Sequence, residues 1–164
     1  MKRFVTIALI MLLVFTLFMN CRKTPPQQET KEDFSLIDLD GVERTLSEQK
    51  GKVVLVDFWA TWCPPCRDEI PHLIKIYDSY KDQDLIVWGI GLDEEGKLRT
   101  FAEEHAINYP ILVGNQTVSQ KYNVQGIPTT ILFNKNGAIA FRHVGFSPGL
   151  EKEFEKEIEQ LLKE

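Results

Sequence analysis

Between Val53 and Cys66 the chain reads VVLVDFWATWCPPC. Val53 to Phe58 is almost continuously apolar, the pattern of a strand buried on both faces. Ile70, Leu73, Ile74 and Tyr77 then recur at helical spacing. They predict a helix from about Cys63 to Tyr80, with Pro71 inside it as a source of a kink. A Cys-x-x-Cys pair placed where a buried strand gives way to a helix constrains the chain more than any other feature. It requires a sheet whose strand end delivers Cys63 to the amino-terminal end of a helix.

That position has a chemical consequence. The first turn of a helix carries unsatisfied N–H groups and the positive end of the helix dipole, both of which stabilise an anion. Thiolate is the nucleophile in disulfide exchange, so Cys63 is the expected attacking sulfur and Cys66, one turn on, the resolving one. Pro64 and Pro65 suit the first helical positions, where no N–H is missed. A zinc site usually needs four ligands, and the chain offers no second pair to complete one. His72, His105 and His143 are scattered along it. A purely structural disulfide closing so short a loop gains little entropy. Redox chemistry is therefore the expected use of the pair, with no metal and no cofactor.

The rest of the chain supplies an α/β domain. Phe34–Asp38 and Val42–Leu46 flank a Leu39-Asp40-Gly41 turn, as in a hairpin. Leu85–Ile90 reads as a second buried strand and Glu95–His105 as a second helix. Thr129–Phe133 and Ile139–Val144 read as a hairpin across Asn136-Gly137. Leu150, Phe154, Ile158, Leu161 and Leu162 form one stripe of a last helix. The order is a β-hairpin, then β-α-β-α, then β-β-α, which implies a central sheet covered on both sides.

Ahead of this domain lies a different kind of segment. Lys2 and Arg3 precede a run from Phe4 to Met19 that is apolar apart from Thr6 and Thr16. It is longer than a usual signal-peptide core and shorter than the ~20 residues that span a bilayer comfortably. Residues 1–20 are thus expected to be a signal peptide or an N-terminal membrane anchor. Cys21 follows directly, as in a bacterial lipoprotein signal, where the cysteine is acylated. Phe18 and Asn20 stand where that signal usually has Leu and a small residue, so two readings stay open: a lipidated Cys21, or an uncleaved anchor. Residues 21–33 form a polar linker with Pro25 and Pro26, which holds the 34–164 domain off the membrane. Without its first 21 residues the chain has 17 bases against 24 acids. An acidic domain with no basic cluster is not suited to nucleic acid.

VDFWATWCPPC, Pro71 five residues after the second cysteine, and Gly126-Ile127-Pro128-Thr129 downstream together resemble the thioredoxin superfamily. The likeness covers Phe34 to Glu164. The stretch GLDEEGKLRTFAEEHAINYPIL and the Phe34–Leu46 hairpin are similar to the TlpA/ResA-like branch. The resemblance implies a thioredoxin fold, with a central mixed β-sheet flanked by helices, an N-terminal β-hairpin and a βα insertion. It implies a domain tethered outside the cytoplasm that handles protein disulfides, often in cytochrome c maturation. With no histidine between the cysteines and with Asp57 and Glu69 adding negative charge nearby, the pair is expected to act as a reductant. In an oxidising compartment it then needs a membrane-bound thiol donor, and a monomer is expected. The resemblance also implies a cis peptide bond before Pro128, and an apolar docking surface formed by Trp62, Ile127, Pro128 and Gly145.

Two acids stand near the cysteines in sequence. Asp57 falls mid-way along the apolar strand, where a charge without a partner is costly. Thioredoxins carry a buried aspartate at the matching position as proton acceptor for the second cysteine, paired with a lysine. Aligned on Asp93, that lysine position is Gly89 here. Glu69, three residues after Cys66, matches an acid of ResA-like proteins near the active site; a solvated helix residue is the other reading. Two further functions fit the sequence less well. Thiol peroxidase, an antioxidant activity on the same fold, expects Thr or Ser three residues before its cysteine, whereas Thr61 is two before Cys63. Copper delivery wants softer ligands, and Met1, Met11 and Met19 all lie in the leader.

Overall fold

The computed structural model describes residues 33–164. The leader, the linker and Cys21 lie outside the described residues. Strands β1 (Ser35–Ile37) and β2 (Glu43–Thr45) form the expected hairpin. Its turn is held by Asp38, whose Oδ1 accepts from the Asp40 and Val42 amides at 2.9 and 2.8 Å and whose Oδ2 accepts from Arg44 Nε at 2.8 Å. A short 3-10 turn (Leu46–Gln49) leads into β3 (Val53–Trp59). Helix α1 (Pro64–Tyr80) carries the chain to β4 (Leu85–Gly91), and α2 (Glu95–Glu104) follows. After β5 (Ile111–Val113) and α3 (Gln116–Lys121) come β6 (Thr129–Phe133), β7 (Ile139–Val144) and α4 (Leu150–Lys163).

The main sheet has the order β5-β4-β3-β6-β7. β3 is parallel to β4 and antiparallel to β6, so the sheet is mixed, with β3 at its centre. Alternation along β3 sorts the core into two halves. Val54, Val56 and Phe58 pack with Phe34, Trp88 and Tyr122 beneath the hairpin and α3. Val53 and Leu55 pack with Leu73 of α1 and Phe154 of α4. Asp57 follows Leu55 by two residues and so belongs to the face under α1. Phe154 and Ile158 are fully enclosed; burial of one such side chain is worth roughly 1.5–3 kcal/mol. The stripe read from the sequence of α4 is thus what docks this helix.

Two elements depart from the sequence reading. β5 has only three residues and α3 six, too short to show a period. β5 is recruited by the parallel β4 edge, with Leu112 also bridged by Asp38. α3 is nucleated by its cap: Asn115 Oδ1 accepts from the Val118 amide at 2.9 Å. α1 runs through Pro71 to Tyr80. Among the described residues no helix is long and apolar enough to cross a membrane.

Candidate active site

β3 ends at Trp59, and the connection to α1 is pinned from both sides. The Thr61 amide donates to Asp93 Oδ2 at 2.7 Å, and the Cys63 amide donates to the Ala60 carbonyl at 3.2 Å. Cys63 is the N-cap of α1. Pro64 and Pro65 have no N–H, so the Cys66 amide is the first of the helix able to turn back, and it donates to Cys63 Sγ at 3.3 Å. Cys63 and Cys66 are joined as a disulfide, with Cα atoms 5.3 Å apart. Cys63 keeps 2 % of its surface and Cys66 none, so an incoming sulfur meets Cys63.

The second wall of the site comes from the loop before β6. The Ile127–Pro128 peptide is cis, and the Ile127 carbonyl oxygen lies 3.7 Å from Cys63 Sγ. The Gly145 amide donates to the Pro128 carbonyl at 2.8 Å, which ties the end of β7 to the same loop. Trp62 is 69 % exposed, an unusual position for so large an apolar ring. Ile127 thus lies against Cys63, Pro128 and Gly145 belong to the same loop contact, and Trp62 directly precedes Cys63 in the chain. The three histidines make other contacts: His105 stacks on Phe101, His72 packs near Phe146, and His143 Nε2 contacts Glu157 Oε2 at 2.9 Å.

β3 and α1, the two elements that flank the disulfide, also carry a buried acidic pair. Asp57 is fully enclosed and neither carboxylate oxygen has a hydrogen-bond partner among the described residues. Its carboxyl is held well above the usual range by burial and then by the charge of Glu69. Glu69 is also fully enclosed, which removes the solvated reading. Its Oε1 accepts from Thr130 Oγ1 at 2.7 Å. Burial pushes the Glu69 carboxyl up to about 7, with the Thr130 bond pulling the other way. Thr130 stands opposite Asp57 in the β3–β6 pairing and Gly89 stands beside it in the β3–β4 pairing. A Cβ at Gly89 would lie 2.9 Å from Trp59 Nε1 and 3.2 Å from Tyr109 Cε2. Two aromatic side chains thus close over the place where the thioredoxin pattern has lysine.

Thr130, Trp59 and Tyr109 were not singled out from sequence. Thr130 and Trp59 read as ordinary strand residues, and Tyr109 lies in a connection. Only the strand register brings them to the acids.

A cysteine pair presented in this way by this sheet defines a class of protein, the thiol–disulfide oxidoreductases of the thioredoxin fold. The chain belongs to the AhpC/TSA family, whose profile matches residues 28–142. It is 38 % identical to the thioredoxin-like protein YneN of Bacillus subtilis over 79 % of this chain and 75 % of that one. It is 36 % identical to the thiol-disulfide oxidoreductase ResA of Geobacillus kaustophilus over 82 % of this chain and 79 % of the relative. A solved Chlorobium tepidum protein assigned to the thiol:disulfide interchange protein DsbE superposes with a TM-score of 0.75 at 32 % identity, covering 79 % of this chain and 93 % of its own.

Proposed function

We propose that the protein is an extracytoplasmic, membrane-tethered reductant of protein disulfides, with cytochrome c maturation as its setting. The observation that carries this reading is the Cys63–Cys66 pair set 3.7 Å from the Ile127 carbonyl beside exposed Trp62. An extended segment of an oxidised substrate pairs with the Ile127 backbone, and its apolar residues rest on Trp62, Pro128 and Gly145. In the reduced protein Cys63 thiolate attacks one substrate sulfur, which forms a mixed disulfide and releases the other sulfur as a thiolate. Cys66 then gives its proton to the Asp57–Glu69 pair and attacks Cys63 Sγ. The second substrate sulfur leaves as a thiolate and takes up a proton. One substrate disulfide becomes two thiols, and Cys63–Cys66 becomes a disulfide. A membrane-bound thiol donor returns the pair to the dithiol.

Trapping tests this reading. Cys66→Ser leaves the mixed disulfide unresolved, so the substrate stays covalently bound to Cys63. Cell-envelope proteins with structural or haem-binding cysteines are the expected captives. Capture of none in the Cys66→Ser variant, with Cys63 intact, would overturn the proposal.

A further inference from the structure

Five buried side-chain atoms have no hydrogen-bond partner among the described residues: both Asp57 oxygens, Glu69 Oε2, Trp59 Nε1 and the Tyr109 hydroxyl. Buried polar groups are normally satisfied, and leaving one unmet costs about 1–3 kcal/mol. Here the unmet groups fall in one place and complement one another. Three are acceptors and two are donors. Trp59 and Tyr109 both border Gly89, which is in register with Asp57. Tyr109 feels both carboxylates: burial, then Asp57, then Glu69 hold its phenol well above its ordinary value, so it keeps its proton. A donor and an acceptor buried so near each other gain from a small side-chain adjustment or one enclosed water that joins them.

We propose that Tyr109 is a positioning residue for the proton-transfer step, its hydroxyl donating to the Asp57–Glu69 pair when that pair is anionic. This inference rests on the proposed dithiol mechanism and adds the group that decides when the buried acid can accept the Cys66 proton. Thr130 serves Glu69 Oε1 from β6; Tyr109, from the segment before β5, serves the oxygens that Thr130 does not reach. Among the described residues, the titratable or charged groups on the elements packed around the pair include Cys66 on α1, Tyr77 against Tyr109, and the His143–Glu157 contact next to Thr130. A donor to the ionised form favours ionisation. Tyr109 therefore lowers the pH at which the pair becomes a base, and works against the burial that raises it.

Tyr109→Phe deletes the hydroxyl and keeps the ring. The carboxyl titration of the oxidised protein, followed by infrared absorption, should move upward by about one pH unit. The pH profile of mixed-disulfide resolution should move with it, while attack by Cys63 is unchanged. Tyr77→Phe, which removes the hydroxyl of the ring packed edge-on against Tyr109, should shift neither. Should Tyr109→Phe fold poorly, a ring-fluorinated tyrosine at position 109 serves instead: its more acidic hydroxyl is a stronger donor and should move the titration downward. A carboxyl titration unmoved by either change would overturn the inference. An infrared shift in a protein that fails to reduce protein disulfides would instead sink the proposed function and leave the Tyr109 coupling standing.

Discussion

The hydroxyl of Thr130 donates to Glu69 at 2.7 Å, although 61 residues separate the two in sequence. The bond links β6 to α1 and holds one carboxyl near enough to Asp57 for its charge to be felt there. A single hydroxyl cannot offset the burial of Glu69, whose carboxyl stays at about 7 against an ordinary 4.5. Between those values the folded chain keeps a proton that the unfolded chain has lost. Its contribution to stability is therefore whole below about 4.5 and is lost as the pH rises to about 7. Asp57, also raised, acts in the same direction.

Glu69→Gln keeps an acceptor for Thr130 and removes the titration. The oxidised wild type should lose stability to denaturant as the pH rises from about 4.5 to about 7. The variant should show a clearly shallower fall and the greater stability of the two at the upper end. Parallel pH dependences in the two proteins would show that Glu69 is not the titrating group.

Asp57→Asn bears on the kinetics. If the buried carboxylate takes the Cys66 proton, resolution of a mixed disulfide slows by roughly 10²-fold, the lower range for general-base catalysis. Its formation by Cys63 changes little. The folded protein also gains stability toward high pH, because a buried carboxyl whose ionisation burial disfavours is gone. Stopped-flow measurements of both steps from about pH 6 to about pH 9 separate them. Resolution as fast as wild type across that range would remove Asp57 from the mechanism.

The sheet centre and the cysteine helix were legible because each is long and strongly patterned. VVLVDFW has the continuous apolar character of a central strand, and α1 shows a clear apolar period. Glu69 was only half legible. It lies on the buried stripe of α1 with Cys66, Ile70 and Leu73, but an acid there reads equally well as a helix-edge residue. β5 and α3 were missed because their three and six residues take their structure from the β4 edge and the Asn115 cap. The polar surroundings of Asp57 depend on register. Thr130 meets it because β6 aligns in one frame with β3; a one-residue slip would turn Thr130 to the opposite face.

Anchoring is tested apart from the fold. An apolar leader ending at Cys21 and an acidic domain favour attachment by lipid or leader over attraction to anionic headgroups. Cys21→Ser should abolish incorporation of labelled fatty acid, and mass spectrometry of the wild type should find diacylated Cys21 as the first residue. Recovery of Met1 from the membrane fraction would replace the lipoprotein with an uncleaved anchor.

Direction of electron flow is the last test. The reduction potential of a Cys-x-x-Cys pair rises as the thiolate of its reduced form is better stabilised. No histidine lies between Cys63 and Cys66; the intervening residues are prolines, which offer no N–H. The Cys66 amide is the one donor recorded to Cys63 Sγ among the described residues. Asp57 and Glu69 add negative charge near the pair whenever they ionise. All three features limit stabilisation of the Cys63 thiolate and favour the disulfide, which makes the dithiol a reductant. Equilibration with glutathione should give a potential nearer the about −270 mV of thioredoxin than the about −120 mV of a strong oxidant of this fold. Because the proposed compartment is oxidising, the cysteines should be mostly reduced in cells only while the membrane donor is present. A potential above about −180 mV, with the pair oxidised at steady state, would reverse the assignment and make the protein an oxidant.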